Sequence, residues 1–159
     1  MPASATAALG IPKLNPATGL STDYLNHFNE AVMVLDMLAA MPDCIEDFLA
    51  WEPRSYREHF AASRFSDRNV VIAAYEAADP ALRQSLDTLS DIMNTMLMAT
   101  REAIATNAAT PKAQALAQRT VSGLKPLISR AAAVINGTAP ALRSSMRPPQ
   151  TAIDALFDR

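Results

Sequence analysis

The chain has little glycine, one cysteine and few aromatic rings. Four glycines among 159 residues are too few for an all-β protein, which needs turn glycines and β-branched strands. The lone Cys44 excludes an intramolecular disulfide framework. Aromatic residues make up 6% and alanine is plentiful, a balance that leans strongly helical. Charge of one sign is lacking too: the formal net charge is -2 and the pI about 5.6. Without a basic excess to neutralise phosphates, nucleic acid is not an expected partner. No run approaches the ~20 apolar residues of a membrane span. The start, MPASATAALGIPKLNPATGL, shows no basic region followed by an apolar core, so a signal peptide is not read and the cytoplasm is expected. Glycine-rich phosphate loops, GxSxG, HExxH and CxxC are all missing, so no catalytic residue and no cofactor is expected.

Half of the residues are hydrophobic and 19% are charged, as in an ordinary globular domain long enough to bury a core. Residues 1–20 mix small residues with proline and glycine and read as an extended arm. A helical bundle domain follows over 21–137, and a linker with a short C-terminal helix over 138–159. Ser21 or Thr22 caps the first helix, with Leu25, Phe28, Val32 and Leu35 on one face. Asp43 and Glu46 suggest a capped short helix ending near Trp51. A third helix carries Tyr56, His59, Phe60 and Ser63, and Ser66 is the expected cap of a fourth. Asp79-Pro80 and Thr110-Pro111 each read as an N-cap followed by proline at the first helical position. From the first of these, Leu82, Leu86, Leu89, Met93, Met96, Thr100 and Ala103 step by four and three. From the second, Ala117, Val121, Leu124, Ile128, Ala131 and Ile135 do the same, and Leu116, Leu127 and Val134 widen the stripe toward a second neighbour. Pro126 lies on the polar side and should kink the helix rather than end it, and Asn136-Gly137 is the stop. The expected fold is all-α: a long antiparallel helix hairpin at about 80–136 with shorter N-terminal helices packed across it.

The two histidines, His27 and His59, share one frame, Tyr-x-x-His-Phe, thirty-two residues apart. On a helix the Tyr and Phe stack at i and i+4 and the His flanks them. The simpler reading is one helix–core geometry met twice, with each ring presenting carbon to the core and nitrogen to a polar partner. The sharper one is a small-ligand or metal site built from His27, Glu30, Glu58 and His59. Carboxylate-bridged metal bundles use Glu-x-x-His. Here the order is His-x-x-Glu and the ligand count is thin. Cys44 sits at a helix start but among Asp43, Glu46 and Asp47, which oppose a thiolate. Arg54, Arg57, Arg64 and Arg68 alternate with acids and read as a paired, solvated face.

Methionine supplies the remaining signal. AVMVLDMLAAM and DIMNTMLM hold six of the eight. Met33, Met37, Met41 and Met98 fall on sides that should be wet, as does Val34, and a helix apolar nearly all round is central or part of an interface. The phrases LNPATGLSTDYLNHFNE and FLAWEPRSYREHF resemble those of an uncharacterised family of small alphaproteobacterial helical proteins. The resemblance covers the first half of the chain, carries no activity or site, and implies a bacterial cytoplasmic protein. The function expected is a non-enzymatic helical interaction module, a homodimer or the receiver of a helical protein partner.

Overall fold

The computed structural model describes residues 13–138, apart from 42, 44, 65 and 106–109, with residue 39 by its backbone only. Every regular element among the described residues is helical, as the composition predicts. Cys44, residues 1–12 and the segment 139–159 lie outside the described residues.

A 3-10 turn at Thr22–Leu25 opens the domain, and the Ser21 hydroxyl accepts from the Asp23 N–H. It runs into α1, Asn26–Ala40. Two short helices follow, α2 at Ile45–Ala50 and α3 at Tyr56–Ala61. Helix α3 begins with a reciprocal capping box: Ser55 accepts from the Glu58 N–H while Glu58 accepts from the Ser55 N–H. Next is α4, Arg68–Ala77, preceded by Asp67 rather than by the expected Ser66 cap. The two long helices are α5, Pro80–Ile104, capped by Asp79, and α6, Pro111–Asn136, capped by Thr110. Both begin at the prolines, because a first-turn N–H has no helical partner to lose. Helix α6 runs unbroken through Pro126. It ends at Gly137, whose φ of 75° lies in the left-handed region. There the Gly137 N–H reaches the Val134 carbonyl and the Thr138 N–H the Ala133 carbonyl, which satisfies two carbonyls that the helix leaves open.

Helix α6 packs against α5 and against α1, the two neighbours its wide stripe predicts. Leu86, Leu89, Met93 and Met96 of α5 are buried with Ala117, Val121, Leu124 and Ala131 of α6. The stripe drifts at the end of α5: Ala103 is exposed and Ile104 buried, because 3.6 residues per turn outruns the four-three count. Leu97, off the expected stripe, is fully buried. Within the seam Thr120 donates to the Leu116 carbonyl at 2.9 Å and lies 2.7 Å from the Thr100 hydroxyl.

Of the arm expected over 1–20, residues 1–12 lie outside the described residues. Residues 13–20 belong to the domain, closing a turn in which the Asn15 N–H reaches the Leu20 carbonyl at 2.7 Å. Leu20 is in the core, and the Thr18 hydroxyl donates to the Ile135 carbonyl at 2.5 Å. This segment therefore docks on the end of α6. Among the described residues no helix is long and apolar enough to cross a membrane.

Candidate functional site

The two Tyr-x-x-His-Phe frames pack against each other. Tyr24 lies 5.3 Å from Tyr56, and the His27 and His59 rings are 6.3 Å apart. Each frame bonds to the backbone or side chain just ahead of the other. The Tyr24 hydroxyl donates to the Arg54 carbonyl at 2.6 Å, and the Tyr56 hydroxyl accepts from the Ser21 N–H at 2.9 Å. His27 Nε2 accepts from the Arg54 N–H at 3.1 Å. His59 Nε2 donates to the Asp23 carboxylate at 3.2 Å. The repeated frame is thus a reciprocal clasp between the start of α1 and the start of α3.

Electrostatics follow from burial. Desolvation lowers His27 to about 4, opposed by its approach to Asn94 and aided by His59 and Arg54. Its Nε2 lone pair receives the Arg54 N–H, which places the proton of the neutral ring on Nδ1. Desolvation also pushes Tyr56 up to about 12 and raises Tyr24 further. Both phenols stay protonated and act as hydrogen-bond groups.

The four residues weighed as metal ligands are placed differently. The histidines converge, but the His27 lone pair is occupied. The Glu58 carboxylate caps α3, 2.8 Å from the Ser55 N–H. Glu30 lies along the methionine side of α1. Among the described residues no group of three or more His, Cys, Asp or Glu is arranged to hold a metal ion. Nδ1 of His59 is buried with no hydrogen-bond partner. Of the four arginines read as a solvated face, Arg57 pairs with Glu76 at 3.0 Å.

The clasp also fixes Trp51. Its indole stacks on His27, centroids 4.5 Å apart and planes 23° off parallel. Its Nε1–H donates to the His27 carbonyl at 3.0 Å. On the far side Arg101 of α5 donates to the Trp51 carbonyl at 2.7 Å. Trp51, 5% exposed, then floors a groove of about 420 Å³ between α1 and α2, lined also by Glu30, Met33, Val34, Met37, Asp47 and Ala50. Val34, expected to be wet, is buried at the groove's inner edge. Met33, Met37 and Met41 are 57%, 38% and 51% exposed. Met98 does not join them. It is half-buried and shares a helix stripe with Asn94 and Arg101, which bond the carbonyls of Arg54 and Trp51.

A second, more polar cleft of about 580 Å³ includes Arg57, Glu58, Tyr75, Asp87, Ser90 and Asp91 in its lining. There the Tyr75 hydroxyl donates to both Asp87 oxygens, at 2.7 and 2.8 Å. Burial, then the Asp87 bond and charge, raises Tyr75. Burial, then Asp87, raises Asp91. Tyr75 is held as a donor, so this cleft presents a satisfied pair rather than an activated nucleophile.

Sequence reasoning found the exposed methionines and the repeated frame. It missed Trp51 as the link between them, because the stack joins segments twenty-four residues apart. Comparison with protein-family models, curated proteins and solved structures found no match.

Proposed function

We propose that this protein is a non-catalytic docking module that receives a helix of another protein in the groove between α1 and α2. The observation that carries the reading is the row of Met33, Met37 and Met41, exposed at i, i+4 and i+8 beside a groove floored by a clamped tryptophan. Methionine is flexible and polarisable and adapts to an incoming apolar surface. Residues 33–40 of α1 span about 12 Å, room for two turns of a partner helix, and Met41 follows as the extended residue that ends α1. The rest of the domain serves as a rigid support, with α5 and α6 as an antiparallel hairpin. Their stripes of buried residues and the six-residue connection between Ile104 and Pro111 support that arrangement.

A symmetric dimer through the same face is the other arrangement. It would set Glu30, Asp36 and Asp47 of one copy against those of the other, and like charges across an interface oppose it. Light scattering at tens of micromolar should give a monomer.

The test of docking uses synthetic amphipathic helices of about 16 residues, ~24 Å long, in cationic, neutral and anionic versions. Trp51 is the sole tryptophan, so its emission reports occupancy of the groove. At least one peptide should shift that emission, and Met33→Lys with Met37→Glu should abolish the shift while leaving the far-ultraviolet circular dichroism intact. Silence with all three peptides rejects docking.

A further inference from the structure

We infer that the helix received by this groove is cationic and amphipathic: apolar on the stripe that meets Met33, Met37 and Met41, with Lys or Arg on its flanks. This rests on the docking reading and adds the chemistry of the partner. The net charge of -2 hides a segregation. Between residues 14 and 53 there are seven carboxylates and no Lys or Arg. Helix α6, Pro111–Asn136, is the reverse, with Lys112, Arg119, Lys125 and Arg130 and no carboxylate.

The structure sorts the seven. Asp23 accepts a hydrogen bond from His59 at 3.2 Å, and Glu52 lies 3.5 Å from Arg101. The others are Glu30, Asp36, Asp43, Glu46 and Asp47, all exposed on α1, α2 or the turn between them. Glu30 and Asp47 line the groove itself, one from each helix. An apolar floor between carboxylates on both walls matches a helix with an apolar stripe and basic flanks. Among the described residues no Lys or Arg lines the groove, and Arg101, which reaches the Trp51 carbonyl, is held there and by Glu52. Helix α6 packs against α1, and none of its four basic residues lines the groove. A field of one sign over a shallow apolar groove draws a cationic ligand in and repels an anionic one.

The peptide set described above, read by Trp51 emission at pH 7.5, tests this on the full chain. The leucine–lysine helix should bind at least about tenfold tighter than the leucine–glutamine helix, and the leucine–glutamate helix weakest of all. Raising salt from about 50 to about 500 mM should weaken only the lysine peptide markedly. Glu30→Lys with Asp47→Lys should cost the lysine peptide about tenfold and improve the glutamate peptide. If that variant fails to fold, Glu30→Gln with Asp47→Asn gives the same order with a smaller effect. Equal binding of the lysine and glutamine helices, with the methionine dependence intact, overturns the charge inference and leaves docking standing. Equal binding of a scrambled leucine–lysine peptide overturns it too, because diffuse attraction then suffices. Tighter peptide binding by the full chain carrying Leu156→Asp with Phe157→Asp would assign the groove to the chain's own C-terminal segment. Growth of the particle mass with concentration would assign it to a second copy. Either result overturns the inference.

Discussion

Removing the Tyr56 hydroxyl and removing the Tyr24 hydroxyl should not cost the same, although the two tyrosines hold equivalent places in the clasp. Tyr→Phe keeps the ring and deletes one oxygen. In Tyr56→Phe the lost atom is the acceptor for the Ser21 N–H, and Ser21 is buried, 1% exposed. A buried donor is then left without a partner, at about 1–3 kcal/mol. In Tyr24→Phe the lost atom is a donor to the Arg54 carbonyl. That carbonyl still accepts from the Asn94 amide at 3.2 Å, and the Ser90 and Asn94 side chains that also approach the Tyr24 hydroxyl keep other partners, so the loss is about 0.5–1.5 kcal/mol. Urea unfolding followed by far-ultraviolet circular dichroism gives both numbers from the midpoints, provided the slopes match. Both hydroxyls bridge the same two segments, so the double variant should depart from additivity by about 0.5 kcal/mol or more. A larger loss for Tyr24→Phe than for Tyr56→Phe would refute the reasoning, as would strict additivity.

Leu89, 2% exposed in the seam of α5 and α6, should cost about 2–5 kcal/mol when cut to alanine; a change under about 0.5 kcal/mol in denaturant melts would place it on the wrong face. His27, held near 4 by burial against an ordinary 6.5, makes the unfolded chain the stronger proton binder between those values. Stability should be full above about pH 6.5 and fall as pH drops toward 4, by at most about 3 kcal/mol; a flat profile, or His27→Gln showing the same slope, would deny it. Gly137→Ala should cost about 1 kcal/mol in thermal or urea melts. The cause is the φ of 75° rather than crowding, since the added carbon would sit 3.4 Å from Thr18 Cγ2.

The helix class, both proline starts and the glycine stop were legible because each depends on residues within one turn of chain. So was the outer face of α1, where Met33 and Met37 break the pattern of a helix with one buried side. Val34 was misread because its cover comes from outside α1: it lies at the edge of a groove walled by α2 and floored by Trp51. The capping box at Ser55 and Glu58 is spelled in the sequence as Ser-x-x-Glu, but Glu58 reads there equally as a ligand or as an acid beside the arginines. The clasp could not be read, since nothing in a repeated frame states that its two copies touch. The charge segregation was visible all along, and the whole-chain sum concealed it.

The two threonines in the seam of α5 and α6 bear on how the chain finds its alignment. Thr120 gives its proton to the Leu116 carbonyl, so the Thr100 hydroxyl must be the donor in the 2.7 Å contact between them. Both residues are fully buried. Sliding one helix by a turn would replace like with like for leucine or alanine, which are forgiving of such exchanges. It would break the hydroxyl pair and send the Thr100 proton back to a carbonyl of its own helix, at the net value of one hydrogen bond, about 0.5–1.5 kcal/mol. The pair adds little adhesion over two apolar residues of the same size, yet it separates the native alignment from its nearest competitors. Thr100→Val with Thr120→Val is therefore the change that would leave the seam glued and its register free to wander.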